Sequence, residues 1–349
     1  MEISDYVKNY DPQNQFDVLK NSFEQIIYAE QNKYDITGID KEAIKNIVLT
    51  GLGGSAISGD VFANMFGRKL TVPFVVNRNY TMPAFVNKSS LVIASSYSGN
   101  TEETLSAVKE ASGREAQVIC VTTGGRLEEY ANEKGLTLIK LQKGFQPRFA
   151  FWLSIFTLIK FFEMLNFIGD QRNLINNAIE LLRTKGETLS KEENNFALRT
   201  AKSLIGFIPV IYSADTYSSG AGLRLKGQFN ENSKVHAFHN VIPEMNHNEI
   251  IGWEAFEESK FPVKLIFITD NEYHHRIKLR FEILKSIIQK LNIEIINLES
   301  HEEDFELRIL DLIYTGDWIS YYLAVLRKHD PSEINNINYL KEELAKRKT

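Results

Sequence analysis

The sequence predicts an α/β protein with two doubly wound parallel-sheet domains in tandem. Three observations support this fold class. The 349 residues exceed what one hydrophobic core usually serves, which favours two domains. Short apolar runs alternate with helical segments along both halves of the chain, a pattern typical of a parallel sheet that helices cover on both faces. Each half also opens with a strand that runs into a loop rich in glycine and serine.

The alternation is most regular in the first half. An apolar run at 46–50 stops at a glycine loop, and a helix follows through Phe66. Further strands are predicted at 73–76, 91–95, 116–122 and 136–141, with helices at 101–110 and 127–134. Residues 149–185 carry a helical pattern alone. We interpret Lys185-Gly186-Glu187, which follows it, as the break that marks the connection between domains.

Strands and helices alternate again in the second half. Helices are predicted at 196–205, 219–232, 276–291, 305–327 and 337–348, and strands at 208–212, 263–269 and 293–298. We therefore expect an N-terminal helical segment at 1–44, a first domain at 45–165 and a helical connection at 166–193. A second domain at 194–329 and a C-terminal helical segment at 330–349 complete the predicted organisation.

Composition excludes several classes of partner. The 40 Lys and Arg residues against 45 Asp and Glu residues give a net charge of −5, so no basic face for nucleic acid is expected. The most apolar stretch, at 149–159, contains Ser154 and Thr157 and is shorter than the roughly 20 residues that span a bilayer. No membrane span is expected. The acidic first residues do not resemble a secretory signal, which predicts a cytoplasmic protein.

Neither cysteine nor histidine spacing indicates a metal site or a disulfide. Cys120 is the only cysteine and lies in a predicted strand, where a thiol packs as a small hydrophobic group. His274 and His275 are adjacent and cannot share a helix face. His236 and His239 lie three apart in a predicted strand and should point to opposite sides. We expect no metal cluster and no metal-dependent step.

The first glycine loop, Gly51-Leu52-Gly53-Gly54-Ser55, lies between a strand and a helix, where backbone amides can hold an anion. The same glycines, with Ala56, also satisfy the dinucleotide pattern G-x-G-x-x-A. A dinucleotide site expects an acidic residue at the end of the next strand, where this chain has Asn77-Arg78-Asn79. A structural glycine turn is the other alternative.

A second loop, Ser95 to Thr104, also connects a strand to a helix. It places four serine and threonine hydroxyl donors and a glycine within the seven residues from Ser95 to Thr101. Hydroxyls and amides at a helix start suit a phosphate monoester. Helix capping is the alternative, but a cap needs only one of these hydroxyls. The loop therefore favours a phosphate ligand.

These motifs resemble a known family. Ser96-Tyr97-Ser98-Gly99-Asn100-Thr101 is similar to the S-x-S-G-x-T signature of sugar isomerase (SIS) domains, and Gly53-Gly54-Ser55 matches their first glycine loop. Three further segments resemble the bifunctional phosphoglucose/phosphomannose isomerases and occur in family order: Pro147-Arg148, Asn230-Glu231-Asn232-Ser233-Lys234 and Pro243-Glu244-Met245-Asn246-His247-Asn248. The resemblance covers residues 47–344.

The resemblance implies two SIS-type domains of flavodoxin-like topology and a reversible conversion of glucose 6-phosphate, and of mannose 6-phosphate, to fructose 6-phosphate. It implies no cofactor. It also implies a phosphate site and a set of sugar-contacting side chains. The phosphate site comprises Gly53, Gly54, Ser55, Ser96, Ser98 and Thr101, and the sugar site comprises Arg148, Glu231, His247 and Lys341.

The chemistry of aldose–ketose isomerisation needs these residue types. A carboxylate such as Glu231 can move a proton between neighbouring carbons through a cis-enediol. A guanidinium such as Arg148 stabilises the enediolate without donating a proton. Ring opening needs a group that gives and takes a proton near neutral pH, which suits His247. Lys341 would hold the ring oxygen or hydroxyls as a point charge.

The family resemblance also implies a homodimer with sites at the domain and subunit boundary, and His247 entering from the neighbouring subunit. Ser332 lies where relatives often carry a threonine that is associated with accepting mannose 6-phosphate. Two alternatives stay open: isomerisation of another phosphosugar, and a non-catalytic SIS regulator. Regulators usually carry a DNA-binding or partner domain, whereas the first 45 residues here are acidic without a helix-turn-helix pattern.

Overall fold

Two parallel β-sheets form the framework of the protein. The structure is a computed structural model, and it describes residues 2–256 and 261–347. The strands are β1 (Asn46–Thr50), β2 (Phe74–Asn77), β3 (Ser90–Ser95), β4 (Gln117–Thr122), β5 (Thr137–Lys140), β6 (Ile208–Ala214), β7 (Phe238–Ile242), β8 (Val263–Ile268) and β9 (Ile295–Leu298).

Helices precede, connect and cover these strands. Within the described residues the α-helices are α1 (Ile3–Tyr10), α2 (Gln15–Lys20), α3 (Phe23–Gln31), α4 (Gly53–Phe66), α5 (Glu102–Gly113), α6 (Gly125–Lys134), α7 (Phe151–Met164), α8 (Arg172–Leu189), α9 (Phe196–Ser203), α10 (Ser219–Glu231), α11 (His275–Gln289), α12 (Phe305–Leu326) and α13 (Asn335–Lys346). Short 3₁₀ turns include Pro147–Ala150 and Glu244–His247.

The first sheet has the strand order β2-β1-β3-β4-β5, and every neighbouring pair is parallel. This is the flavodoxin-like order, in which the chain reverses its direction of winding between β1 and β3. Ligands of such sheets bind beyond the carboxyl ends of the strands at that switch point. The two loops singled out in the sequence follow β1 and β3, so both lie there.

The second sheet, β7-β6-β8-β9, is also wholly parallel. Its own switch point lies between β6 and β8. The buried apolar runs of β1, β3 and β8 fit a sheet that is covered on both faces, as the sequence predicts. The predicted fold class is therefore confirmed.

One large core joins the two halves. Almost every residue of α12 from Phe305 to Val325 is buried. It shares this core with the apolar residues of α7, and Trp152 of α7 forms an aromatic group with Tyr314 and Trp318 of α12. The helical stretch 149–159 is thus a core helix. Among the described residues, no helix is long and apolar enough to cross a membrane.

Two details of the sequence prediction were wrong. The segment Lys185-Gly186-Glu187 does not break a helix, because α8 runs through it to Leu189. Its charges make tertiary contacts instead: Lys185 pairs with Asp311, and Gly186 lets the helix approach the Lys20 carbonyl oxygen, which a Cβ there would meet at 2.7 Å. His236 lies before β7 rather than in it.

Several smaller features agree with the prediction. Cys120 is buried in β4, and burial raises the pKa of its thiol to about 12, which fits an inert packing role. The C-terminal helix forms as α13, although residue 348, the predicted end of this helix, lies outside the described residues.

Candidate active site

The loops after β1 and β3 are in direct contact. A Cβ at Gly51 would lie 2.7 Å from the carbonyl oxygen of Ser95, so only glycine permits this approach. The Oγ of Ser55 accepts a hydrogen bond of 3.1 Å from the backbone amide of Tyr97. The two polar loops of the sequence therefore form one surface at the switch point of the first sheet.

The hydroxyl groups of the second loop stand at the start of α5. Ser96 donates from its Oγ to the Oγ1 of Thr101 at 3.0 Å. Thr101 is the N-cap residue of α5 but makes no side-chain capping bond, so its hydroxyl oxygen does not accept from a helix amide. Ser98 is exposed, and its Oγ accepts from the amide of Asn100 at 3.3 Å. The loop offers these donors beside the positive end of a helix dipole.

Gly54, in the first turn of α4, brings a third segment to this surface. A Cβ at this position would lie 2.8 Å from the carbonyl oxygen of Pro147. The 3₁₀ turn Pro147–Ala150 therefore packs directly on the start of α4, and it carries Arg148. This close approach is a physical reason for the second glycine in Gly53-Gly54.

Arg148 is buried and held on several sides. Its Nε donates to Asn232 Oδ1 at 2.7 Å, and its Nη2 donates to the carbonyl oxygen of Pro331. Burial lowers the pKa of the Arg148 guanidinium, and the nearby carboxylates of Glu231 and Asp330 oppose that shift. A guanidinium stays charged through such a change, so the site contains a fixed cation of defined orientation.

Glu231 is the last residue of α10 and faces this cation. Its Oε2 lies 3.6 Å from Nη1 of Arg148, and its side chain is 34% exposed while that of Arg148 is 4% exposed. The pair thus combines an anchored guanidinium with a carboxylate that solvent, or a ligand, can reach. That is the arrangement expected for a base placed beside a charge-stabilising group.

The pair lies in a cleft of about 180 Å³ between the two halves of the chain. The first half contributes Arg78, Arg148 and residues of α4, and the second half contributes one side of α10. The lining residues are Gly53, Gly54, Ile57, Arg78, Arg148, Leu223, Arg224, Lys226, Gly227, Gln228 and Glu231. Four of these side chains are cationic, which suits an anionic ligand.

A cluster of buried polar side chains packs against the cleft and holds the backbone at Arg148. Arg224 forms a two-pronged pair with Asp317, with Nε to Oδ1 at 3.0 Å and Nη2 to Oδ2 at 2.8 Å. Gln228 donates to the same carboxylate at 2.8 Å, and Arg224 also donates to the carbonyl oxygen of Arg148 at 3.0 Å. Burial raises the pKa of Asp317, and its two partners oppose that shift. These bonds fix the main chain at Arg148.

Ser332 lies close to this group without joining the cleft lining. It is buried, and its Oγ has no hydrogen-bond partner within the described residues. The preceding residue, Pro331, is the one that accepts from Arg148. The segment before α13 is therefore tied to the site through its backbone.

The structure does not bring His247 or Lys341 to the cleft. His247 ends the 3₁₀ turn Glu244–His247 beyond β7, and its side chain is exposed. Lys341 is exposed on α13, a helix with no buried residue. Neither belongs to the cleft lining. Of the four predicted sugar-contacting residues, only Arg148 and Glu231 therefore meet in the cleft of one chain.

Sequence reasoning missed several residues of the site. Arg224 and Gln228 were missed, although they lie seven and three residues before the predicted Glu231 and so share its face of the predicted helix α10. Asn232 lies inside a motif that was already singled out. Asp317 gave no such signal, because it comes from a distant helix. No group of three or more His, Cys, Asp or Glu side chains in the described part of the chain is placed to hold a metal ion.

The fold and the motif loops define a protein with two SIS domains. The family model of the SIS domain matches residues 42–152, and that of the bacterial phospho-glucose isomerase C-terminal SIS domain matches residues 193–344. A solved structure with the same fold is that of a hypothetical protein from Thermus thermophilus. It superposes with a TM-score of 0.68 at 17% identity and covers 95% of this chain and 89% of the other.

Curated relatives define the family more narrowly. The bifunctional phosphoglucose/phosphomannose isomerase of Caldicellulosiruptor bescii is 38% identical over 95% of this chain and 98% of its own length. The enzyme of the same name from Aquifex aeolicus is 38% identical over 92% of this chain and 98% of its own length. The chain belongs to the family of bifunctional phosphoglucose/phosphomannose isomerases. The family predicted from the motifs is confirmed.

Proposed function

We propose that this protein isomerises glucose 6-phosphate and mannose 6-phosphate reversibly to fructose 6-phosphate through a cis-enediol. The observation that carries the proposal is the pairing of Arg148 with Glu231 at 3.6 Å in a cleft that Gly53 and Gly54 also line. It joins a base, a fixed cation and an anion-binding loop in one place. The relatives of this chain carry the name of that activity.

Glu231 is the proposed proton-transfer group. Its carboxylate takes the proton from C2 of the open-chain aldose, the electrons of that C–H bond form the C1–C2 double bond, and the electrons of the C1 carbonyl double bond move to its oxygen. The proton of the C2 hydroxyl group passes to the oxygen on C1 through the cis-enediol. Glu231 then returns its proton to C1 while the carbonyl forms at C2. One carboxylate suffices for both transfers because C1 and C2 are adjacent. Its partial exposure, 34%, leaves room for the sugar to approach.

Arg148 stabilises the negative charge that develops on the enediol oxygens. Its bonds to Asn232 and Pro331 hold the guanidinium in place before substrate arrives. A preorganised donor of this kind needs no reorganisation during the reaction. Because the pKa of arginine is far above neutrality, Arg148 does not protonate the intermediate.

The polar loops hold the phosphate. The proposed donors are the hydroxyls of Ser55, Ser96, Ser98 and Thr101 with the amides near Gly53 and Gly54. The contact between Ser55 and the Tyr97 amide joins the two loops at the switch point, where doubly wound sheets bind ligands. Hydrogen bonds to a charged phosphate are among the stronger ones in proteins.

Ring opening is assigned to His247 from a second copy of the chain. His247 is exposed and lies outside the cleft of its own chain, so it is free to complete the site of a partner. In a two-fold dimer each subunit lends the histidine to the other. Lys341, exposed on α13 beside Leu340, is proposed to contact the sugar in the same assembly. Ser332 is proposed to influence the acceptance of mannose 6-phosphate.

A coupled assay tests the proposed function. Purified protein is incubated with glucose 6-phosphate or mannose 6-phosphate in the presence of a chelator, and formation of fructose 6-phosphate is measured. Turnover of both substrates is expected. Binding of the sugar phosphates without turnover would favour the non-catalytic regulator, and turnover of a different phosphosugar alone would favour the other isomerase.

A further inference from the structure

Helices α4 and α10 form an antiparallel pair across the boundary between the two halves. The start of α4, at Gly53 and Gly54, lines the cleft together with the end of α10 at Glu231. At the opposite end of the pair, Asn64 of α4 contacts Ser219 and Gly220 at the start of α10. The helices therefore run in opposite directions, with the cleft at one end and the asparagine at the other.

Asn64 makes two directed bonds to the first turn of α10. Its Oδ1 accepts from the amide of Gly220 at 2.6 Å, and its Nδ2 donates to the Oγ of Ser219 at 3.1 Å. The residue is buried, with 4% of its surface exposed. An amide at the first turn of a helix has no partner within the helix, so Asn64 caps α10 from another element.

Gly220 makes the contact a close one. A Cβ at this position would lie 2.8 Å from the backbone nitrogen of Val61 and 2.9 Å from the carbonyl carbon of Asp60. The backbones of the two helices therefore touch at this point. The Oδ1 of Asn64 lies 2.9 Å from the same Cβ position, so the backbone contact and the bonds of Asn64 together define the register of α10 on α4.

The geometry also shows what contacts the start of α10 at the switch point of the second sheet. The start of α10 follows β6, where a doubly wound sheet would offer amides to an anion. Here Asn64 occupies one of those amides, and Ser218 bonds to Tyr273 and to the amide of Ala214. The first half of the chain fills the position.

The lengths of the two helices match the distance to the cleft. Ten residues separate Gly54 from Asn64 and eleven separate Gly220 from Glu231. At a rise of 1.5 Å per residue, these spans are about 15 Å and about 16 Å. A contact that fixes the helices at Asn64 thus places Glu231 level with the glycine loop at the far end.

We propose that Asn64 is a positioning residue that sets the place of Glu231 opposite the glycine loop by fixing α10 on α4. This inference deepens the proposed function and rests on the role assigned there to Glu231. Loss of the contact allows α10 to slide or tilt. A displacement of about 1 Å at a reacting group costs roughly 100-fold in rate, so the effect appears in kcat.

The test compares two buried asparagines that serve the same structural purpose. Asn195 accepts from the amide of Leu198 at 2.9 Å and caps α9, which does not line the cleft. Asn64→Ala and Asn195→Ala therefore remove matched capping groups. Melting temperature, kcat, KM and the isotope effect with glucose 6-phosphate deuterated at C2 are measured for both. Asn64→Asp is the conservative variant, because a carboxylate accepts from Gly220 and suits a helix N-terminus.

Both alanine variants are expected to melt at a lower temperature. Only Asn64→Ala is expected to lose kcat, roughly 10- to 100-fold, with a larger isotope effect, because proton abstraction becomes more strongly rate-limiting. Asn64→Asp should recover most of the loss. Equal kcat in Asn64→Ala and Asn195→Ala would overturn the inference and leave Asn64 a stabilising cap.

A second variant decides the case in which Asn64→Ala does not fold. Gly220→Ala keeps the Asn64 side chain but places a methyl group 2.8 Å from the Val61 nitrogen and 2.9 Å from the Oδ1 of Asn64, so it pushes the helices apart and disturbs the same contact. The same loss of kcat is expected, and an unchanged kcat would overturn the proposal. The wild-type protein distinguishes failure of the proposed function from failure of the positioning role. If the wild type shows no turnover, the proposed function is wrong. If the wild type and all variants turn over equally well, only the positioning role of Asn64 is wrong.

Discussion

Nη1 of Arg148 lies 3.6 Å from Oε2 of Glu231, and the two residues reach this distance from opposite halves of the chain. Arg148 lies in the 3₁₀ turn that packs on the start of α4, a contact that the glycine at position 54 permits. Glu231 is the last residue of α10. The site therefore depends on how the two halves meet.

Replacing Arg148 with lysine is expected to lower kcat roughly 100-fold, the usual cost of one lost transition-state donor. Lysine keeps the charge, but a single ammonium cannot reach Asn232, Pro331 and Glu231 in the planar geometry of a guanidinium. Steady-state kinetics measure the effect. The matched control is Arg172→Lys at an exposed pair with Asp170, which should retain activity. A wild-type kcat in Arg148→Lys would show that the reaction does not need the planar guanidinium group.

The phosphate loops are tested by Ser98→Ala and Thr101→Ala. Each is expected to raise KM about tenfold, because a hydrogen bond to a charged group contributes about 1.5 to 3 kcal/mol. Ser112→Ala is the control on the same helix, since its hydroxyl only donates to the Val108 carbonyl. The measurement is KM for glucose 6-phosphate. If KM stayed the same in both loop variants, the phosphate would have to bind elsewhere.

Subunit mixing tests the proposed role of His247. Glu231→Gln and His247→Ala chains, each inactive alone, are mixed under conditions that exchange subunits. In a mixed dimer one site carries both defects and the other carries neither, so about a quarter of wild-type activity should return when half the dimers are mixed. Differently tagged chains verify the exchange. Mixed dimers without activity would mean that His247 acts in its own subunit or takes no part in the reaction.

The partly buried His239 predicts a loss of stability in acid. Burial, with a smaller effect from Lys226, lowers the pKa of His239 from 6.5 to about 4. Between these values the unfolded chain binds a proton that the native state does not, so stability falls as pH falls from about 6.5 towards 4. The contribution is on the order of 3 kcal/mol.

The measurement is urea unfolding of the wild type and His239→Gln across this range. Glutamine can keep a bond to Ser213, which now pairs with the imidazole at 2.8 Å, but it does not titrate. The variant should lose less stability in acid than the wild type does. His301→Gln, at an exposed histidine, serves as the control and should follow the wild type. Parallel curves for wild type and His239→Gln would contradict the prediction.

Much of the fold was predictable from the sequence because local signals determine it. Apolar runs such as 46–50 and 91–95 end at glycine or serine, and they form β1 and β3 with the same or nearly the same bounds. The error at Lys185-Gly186-Glu187 has a different cause. Charged residues and a glycine normally indicate a helix end, but here they contact Asp311 and Lys20, and such tertiary partners are invisible in a local pattern.

The candidate site was predictable in part for a similar reason. Motifs identified Arg148 and Glu231, and the structure brings them together. The residues that hold Arg148 were harder to find, because they contact it only through tertiary packing. Pro331 accepts from its guanidinium, and Asp317 acts through Arg224, which donates to the Arg148 carbonyl oxygen. Asn64 gave no signal at all, since a buried asparagine within an apolar helix shows its role only when the helix opposite it is known. His247 and Lys341 do not line the cleft of their own chain, and their place in a site completed by a second chain stays a prediction.

The most direct test of the account is hydrogen exchange at C2 of the substrate. Glucose 6-phosphate is incubated in deuterated water with the wild type and with Glu231→Gln, and deuterium at C2 is followed by proton magnetic resonance. Glutamine keeps the volume of Glu231 but not its basicity, so kcat should fall by roughly 10² to 10⁴-fold while the sugar phosphate still binds. The account predicts exchange in the wild type and none above background in the variant. Exchange that continues in Glu231→Gln at the wild-type rate would contradict it and assign the base to another residue.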